Sequence, residues 1–312
     1  MTKKLYKYMG PDILQLSFNR EGYVGFKCSL PEDYNDPYEL FLSIDRNLSP
    51  QLLAFYQESI GEMPQCPTTC FSQSPVVVPM WAHYAHTSRG FVIEIDEEQL
   101  EKSFDDISIA NVTYTDTPNK EITPSLQRAF ATCKPRHTFF LHKMIMASAY
   151  FSKQTCWSYE QERRVIVPNE FVEDVKGNMI FFVPLECVTS IISGAKAAPD
   201  YIDQAKELAA KIGCRFFQSF IGKSFPSKYM RDEAGSVFIF DGEDISVSKK
   251  ICRKCKEPMA ESIEDEACCS WCSINESHRQ YAARKNPYRM LHEAGILENH
   301  VQGMEDIYRR KF

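Results

Sequence analysis

The 312-residue sequence contains no apolar run near the length that a membrane-spanning helix requires. Such a helix needs about 20 consecutive, mainly apolar residues. The N-terminal stretch MTKKLYKYMGPD carries positive charge, but no apolar segment follows it, so the pattern of a secretory signal peptide is missing. These absences predict a protein with no membrane partner that resides in the cytoplasm.

The chain also lacks the two commonest phosphate-binding loops, GxGxxG and GxxxxGK[ST]. Its strand and helix patterns do not alternate in a regular βαβ order, which favours an α+β domain over a doubly wound parallel sheet. Short β-branched or aromatic runs predict strands, and longer amphipathic runs predict helices. The predicted strands are 22–29, 90–96, 111–114, 163–167 and 179–183, and the predicted helices are 50–60, 80–86, 125–153 and 200–211.

Cysteine is abundant, and five of the 12 cysteines crowd into CRKCKEPMAESIEDEACCSWC. Cys252 and Cys255 form one CxxC pair, and Cys269 and Cys272 form another. Two such pairs can supply four thiolates to one tetrahedral Zn²⁺, leaving no open position for water, so we predict a structural site. Cys268 can replace Cys269 as a ligand. Free thiols and a redox pair are the alternatives, although the spacing of a zinc ribbon argues against both.

The cysteine segment also marks a change along the chain. We predict an α+β domain over 1–247, a zinc-ribbon-like segment over 248–276 and a helical tail over 277–312. Residues 249–312 carry 12 Lys/Arg against 10 Asp/Glu, whereas the rest carries 24 against 32. Basic residues around the first CxxC pair can bind a phosphate backbone or simply confer solubility. These residues are Lys249, Lys250, Arg253, Lys254 and Lys256.

The segment predicts nucleic acid, or a protein target, as a partner. Trp271 within the second CxxC pair can stack on a base, or it can cover the small core of a ribbon. The net charge of the whole chain is −6, so any surface for nucleic acid must be local.

The stretch SYEQERRVIV places two carboxylates, Glu160 and Glu162, just before an apolar β-branched run. Residues two apart on a strand lie on the same face, so the pair can act together. Alternating Glu and Arg also make cross-strand ion pairs on solvent-exposed faces, and this is the simpler interpretation. The pattern alone leaves both open.

Four stretches, taken in order, resemble a known family. They are LYKYM, SLPEDYNDPYE, CFSQSPVVVPMWAHYAHTSRGFVIEID and WSYEQERRVIV, with IISGA after the last. Together they resemble an uncharacterised bacterial family catalogued as domain of unknown function 2971. The resemblance covers about residues 5–225 and excludes the cysteine segment. It implies no reaction, but it suggests a toxin or an antiphage defence effector.

The same pattern is similar to that of ADP-ribosyltransferases, which cleave NAD. LYKYM corresponds to their first strand, CFS or WAHYA to a middle element, and YEQER to the late strand that carries the catalytic Glu. The first strand offers Tyr6, Lys7 and Tyr8 where those enzymes have His or Arg. The resemblance implies an ADP-ribosyltransferase-like α+β fold with NAD as substrate.

That likeness implies roles for particular residues. Glu162 would stabilise the positive charge that develops on the ribose, and Glu160 would activate the acceptor. Tyr84 would stack on nicotinamide, or simply belong to the core with Trp81 on one helical face. His83 is as well explained by a half-buried, hydrogen-bonded ring. The predicted substrate-binding residues are Tyr6, Lys7, Tyr8, Ser72, His83, Arg163 and Arg164, with Ser72 at the ribose or holding the strand and either arginine at the pyrophosphate.

Two other classes of function compete with the transferase. A metal-dependent nuclease would need carboxylates such as Asp36, Glu39, Glu160 and Glu162 around Mg²⁺. A binding module would use the body as a scaffold only. The transferase requires Glu162, Tyr84 and the first strand to converge on one cleft, and the nuclease requires three convergent carboxylates.

Overall fold

The computed structural model describes residues 3–34, 36, 44–61, 64–259 and 267–311. Glu39, a candidate metal ligand, lies outside these residues. The chain divides into two compact units. The first comprises Met1–Gly222 with Ser227–Val247, and the second comprises Lys223–Pro226 with Ser248–Phe312. The further division of 248–312 into a metal segment and a tail stays a prediction. Within the described residues, no helix has the length and apolar character that crossing a membrane requires.

Strands and helices mix throughout the first unit, which confirms the α+β class. The strands in chain order are β1 Lys4–Met9, β2 Tyr23–Lys27, β3 Thr68–Ser72, β4 Phe91–Asp96, β5 Ser108–Asn111, β6 Thr113–Tyr114, β7 Ser152–Lys153, β8 Glu162–Ile166, β9 Val172–Val175, β10 Asn178–Pro184, β11 Val188–Ser193, β12 Arg215–Ile221, β13 Lys228–Arg231, β14 Val237–Phe240 and β15 Ile245–Val247. A ten-stranded sheet has the order β15-β14-β13-β12-β11-β4-β1-β3-β8-β5, beside smaller sheets β2-β10-β9 and β6-β7.

Helices flank these sheets in the first unit and make up most of the second. Those of the first unit are α1 Ile13–Ser17, α2 Pro50–Ile60, α3 Val78–His83, α4 Glu97–Ser103, α5 Ile122–Thr132, α6 Pro135–Tyr150 and α7 Pro199–Ile212. Those of the second are α8 Ser270–Ser273, α9 Glu276–Lys285, α10 Pro287–Glu293 and α11 Leu297–Lys311. The helices predicted at 50–60 and 200–211 are confirmed, and Gly213 with a φ of 81° ends the second of them.

The large sheet buries both of its faces. On one face Leu5, Ile93 and Ile191 belong to a core cluster with side chains of α7. On the other face Tyr6 and Trp81 belong to a second cluster. Successive residues of β1 therefore enter different cores, because side chains alternate across a strand. β1 also pairs with β3, where Tyr6 lies opposite Ser72.

Three predicted elements are wrong in extent. The helix predicted over 125–153 is two helices, because Cys133 adopts a left-handed φ of 50° and Pro135 begins α6. The helix predicted over 80–86 begins at Val78 and ends at His83. The strand predicted over 111–114 is interrupted at Val112, which separates β5 from β6.

Candidate functional site

One cavity of about 230 Å³ in the first unit gathers most of the residues that the sequence singles out. Its lining includes the predicted residues Tyr6, Lys7, Tyr8, Tyr84, Glu160, Glu162 and Arg164. They come from β1, from the residue after α3, from the residue that ends the turn before β8, and from β8 itself. The cavity therefore lies where the first, middle and late predicted segments meet.

Glu160 is held by two donors inside this cavity. Its side chain is almost fully buried, with the residue 4% exposed. The hydroxyl of Tyr84 donates to Glu160 Oε1 at 2.6 Å, and Lys153 Nζ donates to Oε2 at 2.8 Å. Burial raises the pKa of the Tyr84 hydroxyl, and its hydrogen bond to Glu160 raises it further. Tyr84 is thus a proton donor to the carboxylate at any physiological pH.

Glu162 is buried beside two cations. Arg164 Nε lies 2.7 Å from Glu162 Oε1, and Lys153 Nζ lies 3.4 Å from Oε2. Burial by itself would raise the pKa of Glu162, but the charges of Arg164 and Lys153 overcome this and lower it to about 2. The carboxylate is therefore ionised at neutral pH, and Lys153 joins it to Glu160.

The backbone between the two carboxylates differs from the prediction. Glu160 ends a 3₁₀ turn, Thr155–Glu160, and only Glu162 belongs to β8. Gln161 between them has a left-handed φ of 47°, which is uncommon for a residue other than glycine. The two side chains therefore do not share one strand face. They converge because this turn directs both of them toward Lys153.

The first strand contributes a buried amine. Lys7 Nζ donates to Thr69 Oγ1 and to the Cys70 carbonyl, both at 2.8 Å. Burial lowers the pKa of Lys7. The hydroxyl of Tyr8 donates to the Ser74 carbonyl at 2.8 Å, and Tyr6 is fully buried. These contacts tie β1 to β3 and to the segment that follows it.

Three predicted binding residues are not among those lining the cavity. Ser72 Oγ donates to the Glu160 carbonyl at 2.7 Å, so it holds the 3₁₀ turn before β8. His83 is exposed. Arg163 makes a two-pronged ion pair with Glu97, because alternation along β8 directs it away from Arg164.

The sequence signals Lys153, the residue that links the carboxylates, only weakly. It ends β7 and is 8% exposed, with its ammonium 4.7 Å from the centre of the Trp157 ring. The sequence signal was an isolated lysine shortly before a pair of Glu residues. That signal is weak, because the pairing of β7 with β6 brings Lys153 to the site, and a single lysine in the sequence does not reveal this pairing.

The structure describes three of the four carboxylates predicted for a nuclease site. Asp36 is buried, and Glu39 lies outside the described residues. Within the part of the chain that the structure describes, the group of three or more close metal-ligating side chains is a cluster of four cysteines.

That cluster lies in the second unit and contains Cys252, Cys255, Cys269 and Cys272. Their sulfur atoms all lie within 4.8 Å of one another, so they could bind a metal ion. Burial by itself would raise the pKa of Cys252, but backbone N–H groups, including that of Cys269 at 3.3 Å, lower it to about 6. Cys268 is not a member of the cluster, which favours Cys269 as the third ligand.

Comparison with known families gives one match. Residues 80–165 match the model of a family described as Protein of unknown function (DUF2971). The match confirms the family resemblance over this stretch, which includes Tyr84, Lys153, Glu160 and Glu162. No curated protein matches the chain. No solved structure matches it either, so the likeness to ADP-ribosyltransferases stays a prediction.

Proposed function

We propose that the first unit is an ADP-ribosyltransferase-like enzyme that consumes NAD. One observation carries the proposal: Glu162, Tyr84 and β1 contribute to the same cavity, as this class of enzyme requires. The cavity volume, about 230 Å³, is smaller than the roughly 300–1,000 Å³ of typical ligand pockets. It suits the nicotinamide and its ribose, with the adenosine half of NAD outside.

In the proposed reaction the bond between the ribose and nicotinamide breaks, and its electron pair leaves with nicotinamide. Positive charge then develops on the ribose and is stabilised by the ionised carboxylate of Glu162. The nucleophilic oxygen or nitrogen of the acceptor forms the new bond, and its proton passes to Glu160. Lys153 holds the two carboxylates in place, and Tyr84 orients Glu160 through its hydroxyl.

The proposal is tested by nicotinamide release from NAD, measured by chromatography with and without cell lysate. We expect Glu162→Gln to lower the rate by roughly 100-fold or more, as losing one transition-state contact of about 2.7–4 kcal/mol does elsewhere. Glu98→Gln is the matched control, because Glu98 is an exposed carboxylate paired with Lys102 at 2.8 Å.

Equal rates in the wild type and in Glu162→Gln would contradict the proposal, provided that both proteins are folded. No nicotinamide release from any folded sample would also count against it. The alternatives are then a metal-dependent nuclease and a non-catalytic binding module. Mg²⁺-dependent cleavage of DNA or RNA by the wild type would favour the nuclease.

The second unit is proposed to bind a structural Zn²⁺. Tetrahedral coordination with Zn–S bonds of about 2.3 Å separates the sulfur atoms by about 3.8 Å. The sulfur atoms of Cys255 and Cys269 are 3.9 Å apart, which fits this geometry. We expect one Zn²⁺ per chain by elemental analysis, its loss in Cys269→Ser and its retention in Cys268→Ser. Loss of Zn²⁺ in Cys268→Ser but not in Cys269→Ser would assign Cys268 as the third ligand.

We further propose that the second unit recognises nucleic acid or a protein target in the cytoplasm, as part of a toxin or defence system. The ring of Trp271 supports this, because the residue is 67% exposed and so does not serve as a core. Salt-dependent binding of single-stranded nucleic acid that weakens in Trp271→Ala tests the nucleic-acid partner. Binding that is unchanged in the variant would count against a stacking role for this ring.

A further inference from the structure

A second buried lysine lies apart from the cavity. Lys228, the first residue of β13, is 5% exposed, and within the described residues its Nζ has no hydrogen-bond acceptor. Its ammonium lies 5.1 Å from the centre of the Trp81 ring. Burial, and then the charge of Lys196, lower the pKa of Lys228 to about 8. A buried ammonium beside another cation is unfavourable, and a bound anion would relieve it.

A second buried donor lies on the neighbouring strand. Ser219 on β12 is 2% exposed, and its Oγ has no hydrogen-bond partner within the described part of the chain. Ser219 lies opposite Met230, and Ile221 lies opposite Lys228. Because residues two apart share a face, Ser219 and Lys228 lie on the same side of the sheet as diagonal neighbours. Two buried donors therefore lie on the same side of the sheet, and neither has an acceptor among the residues that the structure describes.

The position of these donors in the fold suits a ligand. β11 and β12 are parallel neighbours joined through α7, so they form a βαβ unit. Ligands of such units bind at the carboxyl ends of the strands. Lys196 follows the carboxyl end of β11, and Lys228 lies opposite Ile221, the last residue of β12.

The backbone near Lys196 is held by a strained loop. His86, Thr87 and Ser88 have left-handed φ values of 47°, 55° and 65° in succession. The Ser88 carbonyl accepts from the Lys196 N–H at 2.9 Å. A Cβ added at Gly194 would meet the same carbonyl at 2.2 Å, so only glycine fits there. Backbone strain of this kind concentrates at ligand sites, where the surrounding structure maintains it.

We propose that Lys228, Lys196 and Ser219 form an anion site for a phosphate group. Two ammonium groups and a hydroxyl supply charge and donors that match phosphate oxygens. The site is separate from the cavity, because the residues that line the cavity do not include Lys228, Lys196 or Ser219. The phosphate can be free or part of a nucleotide. This inference does not depend on the proposed transferase activity.

The test is calorimetric titration of the full-length protein at pH 7 with inorganic phosphate, and separately with AMP. We expect saturable binding by the wild type and no detectable binding by Lys228→Met. Ser219→Ala should bind roughly tenfold more weakly, since it loses a single hydrogen bond to a charged group. Lys102→Met is the matched control and should bind as the wild type does, because Lys102 is an exposed lysine on α4.

A second readout does not depend on the folding of Lys228→Met. Acylation of each lysine in the wild type is followed by mass spectrometry, and phosphate should slow the acylation of Lys228 but not that of Lys102. Tighter binding of AMP than of phosphate would identify a nucleotide ligand, and equal binding would identify free phosphate. Absence of saturable binding of either probe, or equal binding by Ser219→Ala and the wild type, would overturn the proposal.

Discussion

Arg163 and Arg164 are neighbours on β8, and each forms an ion pair with a buried glutamate, yet the two faces of the strand differ. Arg163 pairs with Glu97 at the start of α4 and also donates to Asn111 Oδ1 at 2.7 Å. Arg164 pairs with Glu162 and donates to the Tyr150 carbonyl at 2.7 Å. Only the second pair borders the cavity.

The two pairs differ in which other side chains contact the glutamate. Arg163 satisfies both oxygens of Glu97, so that pair is complete in itself. Glu162 is shared between Arg164 and Lys153, and Lys153 is in turn shared with Glu160. The pair of Arg163 with Glu97 therefore stabilises the fold, whereas the pair of Arg164 with Glu162 also places a charged carboxylate in the cavity. The same two residue types therefore have different roles on the two faces of one strand.

Removing the complete pair should have the largest effect on stability. Arg163→Met leaves Glu97 buried without its cation, and breaking a buried pair costs about 3–5 kcal/mol. Urea denaturation should show this loss in the free energy of unfolding. The double variant Glu97→Met/Arg163→Met should recover much of it, because no uncompensated charge remains. A loss below about 1 kcal/mol in the single variant would mean that the pair behaves as an exposed one.

Acid should weaken the shared pair in a defined pH range. Because the folded-state pKa of Glu162 is lowered from 4.5 to about 2, its contribution to stability is complete above pH 4.5 and is lost as the pH falls toward 2. The contribution is on the order of 3 kcal/mol. The free energy of unfolding, measured between these pH values, should fall less steeply in Glu162→Gln. Parallel pH profiles would show that another group carries the acid dependence.

Replacing the shared cation tests whether it holds the two carboxylates. Lys153→Met should cost about 1.5–3 kcal/mol, as expected for hydrogen bonds to charged groups, because Glu162 keeps Arg164 and Glu160 keeps the Tyr84 hydroxyl. It should also lower any NAD turnover, because Glu160 and Glu162 would repel each other. Lys143→Met is the control, since the Lys143 ammonium lies over the ring of the exposed Phe139 at 5.8 Å. Equal effects of the two substitutions would remove the special role of Lys153.

The smallest expected effect concerns the residue that joins the two glutamates. Gln161 has a left-handed φ and already bears the cost of that conformation, so Gln161→Gly should be neutral or slightly stabilising, while the β-branched side chain in Gln161→Val should add a cost on the order of 1 kcal/mol. Thermal denaturation of the two variants measures the difference. Equal melting temperatures would indicate that the turn is not under this constraint.

The sequence predicts the members of the cavity better than their arrangement. Glu160, Glu162 and Tyr84 could be selected because each stands in a short polar and aromatic segment next to an apolar one. The choice between Arg163 and Arg164 could not be made, since it depends on which face of β8 meets the cavity. Pairing of β8 with β3 and β5 decides that, and both partners lie far away along the chain.

For the fold as well, features that depend on neighbouring residues were predictable, and features that depend on residues distant in the chain were not. The helix at 50–60 and the strand at 90–96 were predictable from local patterns, within a residue or so. The break before Pro135 is also a local signal, although the apolar pattern on both sides of it predicts one continuous helix. Lys228 and Ser219 carried no sequence signal, because their lack of partners among the described residues appears only when β12 and β13 pair.

The central position of β1 has a consequence for how the protein is made. β1 is the first strand in chain order, yet it lies between β4 and β3 in the sheet. The pairing of Lys4 with Asp96 cannot form until the ribosome has released that distant residue. Because synthesis proceeds at about 5–20 residues per second, both edges of β1 stay unpaired for several seconds. Unpaired strand edges can form hydrogen bonds with strands of other chains and so cause aggregation. A chaperone that shields the nascent N-terminal strand should therefore raise the yield of folded protein.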